Sequence, residues 1–103
     1  MPYNLDIPNS ELAYLEGLPL SESGKQKVFD FLETDIANVS DAFRADPVNR
    51  DSPESTCLWF RLLLYDREGD GCLHTIEVVV DEAKILSNVL TIRYVTHTVG
   101  KPL

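Results

Sequence analysis

Basic residues are scarce in this chain. It has 103 residues, with nine Lys and Arg against 17 Asp and Glu, which gives a formal net charge of −8. A protein that coats nucleic acid needs many Lys and Arg to neutralise phosphates, so this balance counts against that class. Residues 1–55 hold eleven acids and four bases, whereas residues 56–103 hold six acids and five bases. The second half is therefore nearly neutral and can still face an anionic partner.

Cysteine and long apolar runs are also scarce. The two cysteines, Cys57 and Cys72, form no C-x-x-C pair and no Cys/His spacing of a zinc site, so two reduced thiols are expected. We find no cofactor-binding motif and expect no metal. No apolar run approaches the roughly 20 residues of a membrane helix. The first residues lack the features of a signal peptide, so we expect a soluble, cytoplasmic protein with no membrane partner.

What is present suits one globular domain spanning residues 1–103. The hydrophobic fraction is 44% and the aromatic fraction 9%. This content is enough for one core and argues against a disordered chain.

The first half carries helical signals after a short strand. Alternation over residues 3–7 predicts the strand, and Asn9 or Ser10 is expected to cap a first helix that ends near Gly17. Ser21 is expected to cap a longer helix that reaches Arg44. Its apolar stripe has helical spacing and consists of Val28, Leu32, Ile36, Val39 and Phe43. Residues 46–56 are predicted to be a polar loop that is either mobile or functional.

The second half changes to strand patterns. Residues 58–65, 73–80 and 89–98 are predicted strands, and residues 67–71 form a strong turn signal. Short connections imply antiparallel neighbours. The predicted fold class is α+β, with two N-terminal helices packed on one face of a four-stranded, mainly antiparallel sheet. The chain order is strand-helix-helix-strand-strand-strand.

Alternation along the strands also predicts which side chains share a face. A hairpin centred on Gly69 places Arg61 opposite Glu77. If the next connection is centred on Ile85, Glu77 also lies opposite Arg93. His97 follows on the same outer face, so the four residues Arg61, Glu77, Arg93 and His97 form the candidate catalytic row.

Two further expectations depend on the same strands. His74 has the parity of the core face, where a packed and hydrogen-bonded histidine is expected rather than a catalyst. With Gly69 at the centre of the hairpin, Cys57 and Cys72 lie roughly 30 Å apart at about 3.4 Å per residue, beyond disulfide reach.

The row has a chemical and a structural interpretation. Cleavage of RNA by its own 2′-OH needs a base, an acid and cations on the phosphate. Glu77 or His97 could move the protons, while Arg61 and Arg93 bind the phosphate. The structural alternative is a cross-strand ion-pair ladder, worth under about 1 kcal/mol per pair.

An apolar cluster is predicted on the same outer face. It consists of Trp59, Leu63 and Tyr65. Such a cluster indicates a partner or a homodimer. The alternative is that the N-terminal strand, the 46–56 loop or the C-terminal tail covers it.

The layout resembles the RelE/ParE superfamily of toxin–antitoxin toxins. The residues that carry the resemblance are the helix ending in Leu18–Pro19, the long helix followed by residues 45–47, the run Trp59–Leu62 and the last strand with its Thr96–His97–Thr98 segment. The resemblance implies a toxin restrained by a cognate antitoxin. RelE-like members cleave messenger RNA on the ribosome, and ParE-like members inhibit DNA gyrase. It also favours roles for Arg93 and His97.

Two functions therefore follow from the sequence. The first is a toxin or toxin-like protein of a type II toxin–antitoxin module, most concretely a ribosome-dependent mRNA endonuclease. The second is an acidic inhibitor or adaptor without enzymatic activity, such as an immunity, antitoxin-like or anti-defence protein. It would use its negative helix faces to block a basic protein, and the family's usual basic character is missing here.

Overall fold

A computed structural model describes residues 2–102, with side chains as far as Gly100. In chain order, the helices and strands are β1 (Asn4–Asp6), α1 (Asn9–Glu16), α2 (Glu22–Asp30), α3 (Asp41–Ala45), β2 (Cys57–Tyr65), β3 (Cys72–Asp81) and β4 (Val89–Pro102). The predicted α+β class and chain order are confirmed.

The four strands form one mixed sheet in the order β1-β4-β3-β2. The β2–β3 and β3–β4 pairs are antiparallel, and β1 joins the far edge parallel to β4. The hairpin between β2 and β3 is centred on Gly69, as predicted, since Arg61 pairs with Glu77 and Tyr65 with Leu73. β2 is therefore an edge strand of the sheet.

The core lies between the helices and one face of this sheet. From the helices it takes Leu15, Val28, Leu32 and Ile36, and from the strands Leu58, Phe60, Ile76, Val78, Val80, Leu90 and Ile92. Helical and alternating spacing predict these positions. Spacing puts the apolar side chains on one face of each helix or strand, and burial of that face is the main favourable term in folding.

The long second helix is not continuous. After α2 the backbone widens into a π-helical segment, Phe31–Ile36, and α3 begins only after a break at residues 37–40. Ser40 caps α3 by accepting a hydrogen bond from the backbone N–H of Phe43. Ile36 and Val39 both stay buried, so the apolar stripe survives although the predicted single helix does not.

The predicted helix caps have different outcomes. Ser21 caps α2, and its hydroxyl accepts from the N–H of Gly24 at 3.1 Å. The cap of α1 is Pro8, without a side-chain hydrogen bond, so the predicted cap at Asn9 or Ser10 is wrong. Asn9 is already helical because the backbone N–H groups of Glu11 and Leu12 reach the carbonyl of Pro8.

The polar loop at residues 46–56 is anchored by Arg50. Its guanidinium donates to the carbonyl oxygens of Arg44 and Ser55 and pairs with the Glu82 carboxylate. Arg44 donates to the same carboxylate at 2.6 Å. The loop is thus attached to α3 and to the end of β3.

A β-bulge in β4 changes which of its side chains face the core. Val79 pairs with Tyr94, but Val80 pairs with Ile92, so Arg93 is an extra residue in the register. Beyond it the alternation reverses, and Val95 is buried while Tyr94 is 43% exposed. The prediction that Tyr94 is in the core and that Val95 faces outward is therefore wrong. His97 has the same parity as Val95 and pairs with the buried Ile76, so the prediction that His97 faces outward is wrong. A one-residue bulge cannot be read from alternation alone.

Both cysteines are free. Cys57 pairs with Asp81 at the open end of the β2–β3 hairpin, and Cys72 begins β3 at the other end. Within the described residues, no helix has the length and apolarity needed to cross a membrane.

Candidate functional site

The turn between β2 and β3 builds a compact polar site. The backbone N–H groups of Gly69 and Gly71 both donate to the carbonyl of Asp66, which closes the turn. Gly71 has φ +69°, a conformation that favours glycine. A Cβ on Gly69 would lie 2.2 Å from Oδ2 of Asp66, so only glycine leaves room for that carboxylate.

The Asp66 carboxylate is the buried charge of this turn. Its side chain is 2% exposed. Ser21 donates its backbone N–H to Oδ2 at 2.8 Å and its hydroxyl to Oδ1 at 2.5 Å. These hydrogen bonds from Ser21 lower the pKa of Asp66 despite its burial. The carboxylate also faces the positive N-terminus of α2, which favours its ionised form.

Three side chains next to it form a continuous hydrogen-bonded chain. Oδ1 of Asp70 lies 2.9 Å from Nε2 of His74, and Nδ1 of His74 lies 2.8 Å from Nε2 of His97. The planes of the two imidazole rings are 13° from parallel and their centroids are 5.1 Å apart, which suits rings that meet edge to edge through the hydrogen bond between them. His74 is fully buried and His97 is half-buried, so the chain runs from an exposed carboxylate through the core to a partly open ring.

The Asp70 carboxylate determines which ring nitrogens of His74 and His97 carry a proton. The hydrogen bond from His74 lowers the pKa of Asp70, so that its oxygen acts as an acceptor. His74 then carries its proton on Nε2, and a neutral His74 accepts at Nδ1. His97 must in turn donate from Nε2, which leaves its lone pair on Nδ1. The described residues provide no hydrogen-bond partner for that Nδ1 atom.

The surroundings of His97 also favour its neutral form, because they lower its pKa. Burial is the main cause that lowers the pKa of His97. The nearby His74 lowers this pKa further, and Asp70 raises it. A neutral imidazole with a free, oriented lone pair can accept a proton at neutral pH.

The predicted catalytic row is not assembled. Arg61 and Glu77 pair as expected, with 3.6 Å between a guanidinium nitrogen and a carboxylate oxygen, and they are 65% and 30% exposed. Glu77 lies opposite Thr96 rather than Arg93, because the β3–β4 connection is centred one residue beyond Ile85, which shifts the register by two, and the bulge at Arg93 shifts it by one more. His97 pairs with Ile76 on the core face, opposite to the face of the Arg61–Glu77 pair. His74 is in the core and hydrogen-bonded, as predicted.

A separate groove borders the Arg61–Glu77 pair. It has a volume of about 970 Å³ and runs past the edge strand β2 between the π-helical segment, α3 and the sheet. Aromatic rings from both faces line it: Phe31, Phe43, Trp59 and Phe60. Its lining includes neither His74 nor His97, so the groove and the histidine chain are distinct places. The Asp70–His74–His97 chain contains the candidate proton acceptor, which is Nδ1 of His97. The groove instead offers an aromatic surface on which a ligand could bind.

The predicted apolar cluster lies on the outer sheet face. Leu63 is 61% exposed, whereas Trp59 and Tyr65 are half-buried. The Trp59 ring meets Tyr94 edge to face at 6.3 Å, and Arg67 lies over the Tyr65 ring at 5.4 Å. Tyr94 therefore belongs to this cluster, which the bulge in β4 makes possible.

The sequence interpretation missed Asp66 and Asp70. Asp66, Asp70 and His74 lie at intervals of four residues, but the interval spans a predicted turn, where neither helical nor strand periodicity can be used to group side chains. The available signal was the turn itself: two acids around Gly69 and Gly71, followed by a histidine of core parity.

One solved structure resembles this chain in fold, and the sequence comparisons found no match. No family model matches the chain, and no curated protein sequence matches it. Among solved structures, the chain is similar to the E. coli toxin RelE, in a double arginine-to-alanine variant in the free state. The TM-score is 0.51 and the identity 15%, and the alignment covers 92% of this chain and 82% of that chain. The chain thus has a RelE-like fold.

Proposed function

We propose that this protein is a toxin-like member of a toxin–antitoxin module, with a cognate antitoxin as its partner, and that it cleaves RNA using His97 as the general base. The observation that carries the proposal is the Asp70–His74–His97 hydrogen-bonded chain within a RelE-like fold. RelE, the E. coli protein with the similar structure, is a toxin.

The proposed chemistry is proton removal from the 2′-OH of the nucleotide before the cleaved bond. Nδ1 of His97 takes this proton, and the oxygen attacks the adjacent phosphorus. The P–O5′ bond breaks, and the leaving oxygen takes up a proton from water or from the protonated His97. Asp70 and His74 are positioning residues, since they act by fixing the tautomer and ring plane of His97.

Arg61, Glu77 and Arg93 have a different place in the proposal. All three lie away from the histidine chain, and Arg61 and Arg93 are exposed. We assign Arg61 and Arg93 to binding of the RNA backbone, where exposed cations attract phosphate. Glu77 holds Arg61 and takes no part in proton transfer, because it is on the outer face.

Induced expression in cells without an antitoxin gene tests the proposal. The wild type should arrest growth and shorten messenger RNA, and His97→Ala should relieve both. Thr96→Ala is the matched control, since Thr96 is an exposed neighbour on the opposite face. Asp70→Asn should reduce cleavage by roughly 10–100-fold, as expected for loss of a positioning partner.

The arginines are tested in the same experiment. Arg61→Ala and Arg93→Ala should weaken RNA binding and leave the cleavage rate at saturating RNA unchanged. Wild-type protein that is folded yet harmless, or a His97→Ala variant as toxic as the wild type, would contradict the nuclease proposal.

An acidic inhibitor or adaptor is the second candidate, and the helix charges favour it. The exposed helical acids include Glu16, Glu22, Asp30 and Asp41, and the π-helical segment adds Glu33 and Asp35. Such a surface fits a basic protein partner. Under this alternative the wild type is harmless, His97→Ala changes nothing, and replacing Glu33 and Asp35 with Lys abolishes capture of the basic partner.

A further inference from the structure

Asp66, Asp70 and His74 bring three metal-ligand atoms within 4.8 Å of one another. Two of these side chains, Asp66 and His74, are at least 98% buried, and Asp70 opens the group to solvent. Buried donors held in fixed positions differ from an ordinary acidic surface patch, where side chains are solvated and mobile.

The three donor atoms lie close enough together for one small transition-metal ion to join them after a side-chain movement, since all are within 4.8 Å of one another. Zinc binds histidine nitrogen and carboxylate oxygen at about 2.0–2.2 Å in tetrahedral geometry, which places neighbouring ligands roughly 3.3 Å apart. Nε2 of His74 and Oδ1 of Asp70 are 2.9 Å apart in a direct hydrogen bond, so the Asp70 oxygen must move aside to admit the ion between them. The exposed Asp70 side chain can make this movement.

Charge and ligand chemistry point to the same class of ion. Two carboxylates and one neutral imidazole carry two negative charges, which a divalent cation neutralises. Ser21 provides one donor to each oxygen of Asp66 and leaves further lone pairs on both. An imidazole ligand favours zinc, cobalt or nickel over magnesium and calcium, which prefer oxygen.

We propose that Asp66, Asp70 and His74 bind one divalent transition-metal ion of the zinc type, with water as the fourth ligand, and that binding moves the ring proton of His97. A metal on Nε2 of His74 uses the lone pair of that atom, so the His74 proton must lie on Nδ1. Nδ1 then donates to Nε2 of His97, and the His97 proton moves from Nε2 to Nδ1. Each ring keeps one proton, so the number of protons is unchanged.

The consequence is a switch of the exposed His97 atom from acceptor to donor. The bound metal removes the lone pair that Nδ1 presents when the site is metal-free. This inference goes beyond the proposed RNA cleavage and does not depend on it, because both metal binding and the tautomer can be measured without RNA.

Calorimetric titration of the full chain with ZnCl₂ tests the site. We expect one equivalent to bind the wild type and raise its melting temperature. Asp70→Asn should bind at least about 10-fold more weakly, since even outer partners of a metal ligand contribute that much. Glu68→Gln is the matched control in the same turn and should bind like the wild type, and MgCl₂ should give no binding.

Two further measurements identify the ligands and the switch. Cobalt(II) should bind without the thiolate charge-transfer band that Cys72 would produce, and Cys72→Ser should bind unchanged. Long-range ¹H–¹⁵N spectra should show the His97 proton on Nε2 in the metal-free protein and on Nδ1 with zinc.

Three results would overturn the proposal: Asp70→Asn with wild-type affinity, loss of binding in Cys72→Ser, or zinc binding with the His97 proton still on Nε2. Asp70→Asn decides the question without a His74 variant, because Asp70 is exposed and we expect its replacement by the isosteric Asn to keep the fold, which the melting temperature of the metal-free variant checks.

Discussion

Ser21 holds Asp66 through both oxygens of its carboxylate, with 2.8 Å from the backbone N–H to Oδ2 and 2.5 Å from the hydroxyl to Oδ1. The same hydroxyl caps α2 by accepting from the N–H of Gly24. One side chain therefore begins a helix and fixes the turn that carries Asp70 and leads into His74.

Loss of the Ser21 hydroxyl should destabilise the protein more than loss of an ordinary cap. Ser21→Ala removes a cap, worth about 1 kcal/mol, and a hydrogen bond to a charged group, worth about 1.5–3 kcal/mol. We expect a total of about 3 kcal/mol in urea unfolding. Ser40→Ala is the control, because Ser40 caps α3 without a buried carboxylate, and it should cost about 1 kcal/mol. Equal losses in the two variants would mean that the Asp66 contact adds nothing.

Acid should weaken the attachment of the 46–56 loop through Glu82. Burial tends to raise the pKa of Glu82, but hydrogen bonds from Arg50 and Arg44 outweigh it and lower the pKa. The folded-state pKa is thus below the unfolded value, so this stabilisation is complete above the unfolded pKa of about 4.3 and is lost as the pH falls through the folded one. Glu82→Gln should be less stable than the wild type at pH 7. The difference should shrink toward pH 3, and a constant difference would contradict this assignment.

The Arg61–Glu77 pair should contribute little to stability. Both side chains are partly or largely exposed, and the closest N–O distance is 3.6 Å. Surface pairs of this kind contribute about 0–1 kcal/mol, and a double-mutant cycle on Arg61→Ala and Glu77→Ala measures the coupling. A coupling above about 2 kcal/mol would show that this pair is more than a surface contact.

The extra residue in the bulge at Arg93 should be important for stability, whereas the Arg93 side chain should not. Arg93→Ala leaves the extra residue in place and should change the free energy of unfolding by less than about 0.5 kcal/mol. Deletion of Arg93 moves Val95 and His97 to the opposite face, because a one-residue shift reverses the alternation. We expect the deletion to cost more than about 4 kcal/mol, since it breaks the core and the His74–His97 contact. Thermal or urea unfolding of the two variants provides the comparison.

The outer apolar cluster remains a predicted dimer surface. Leu63 and Tyr94 are exposed, and the Trp59 ring, which is on the same strand as Leu63, contacts the Tyr94 ring. If this cluster mediates a homodimer, Leu63→Lys should shift sedimentation equilibrium to the monomer. Leu86→Lys is the control, since Leu86 is fully exposed on the connection before β4 and outside the cluster. A wild type that is monomeric at high concentration would rule the dimer out.

The sequence was sufficient for the local and periodic features. Helical spacing of Val28, Leu32 and Ile36 placed their side chains in the core, and the Gly69 turn placed Arg61 opposite Glu77. These features depend on contacts between near neighbours and on burial of apolar surface, and both are visible as periodicity.

Only the tertiary structure decided where His97 lies and what it contacts. The β3–β4 connection is not centred on Ile85, and the bulge at Arg93 adds one more residue, so the last strand reverses its faces. His97 thereby meets His74, and the turn brings Asp70 to the same chain. The register of a strand beyond a bulge and the closing of a turn depend on packing of the whole sheet, which no short window of sequence contains.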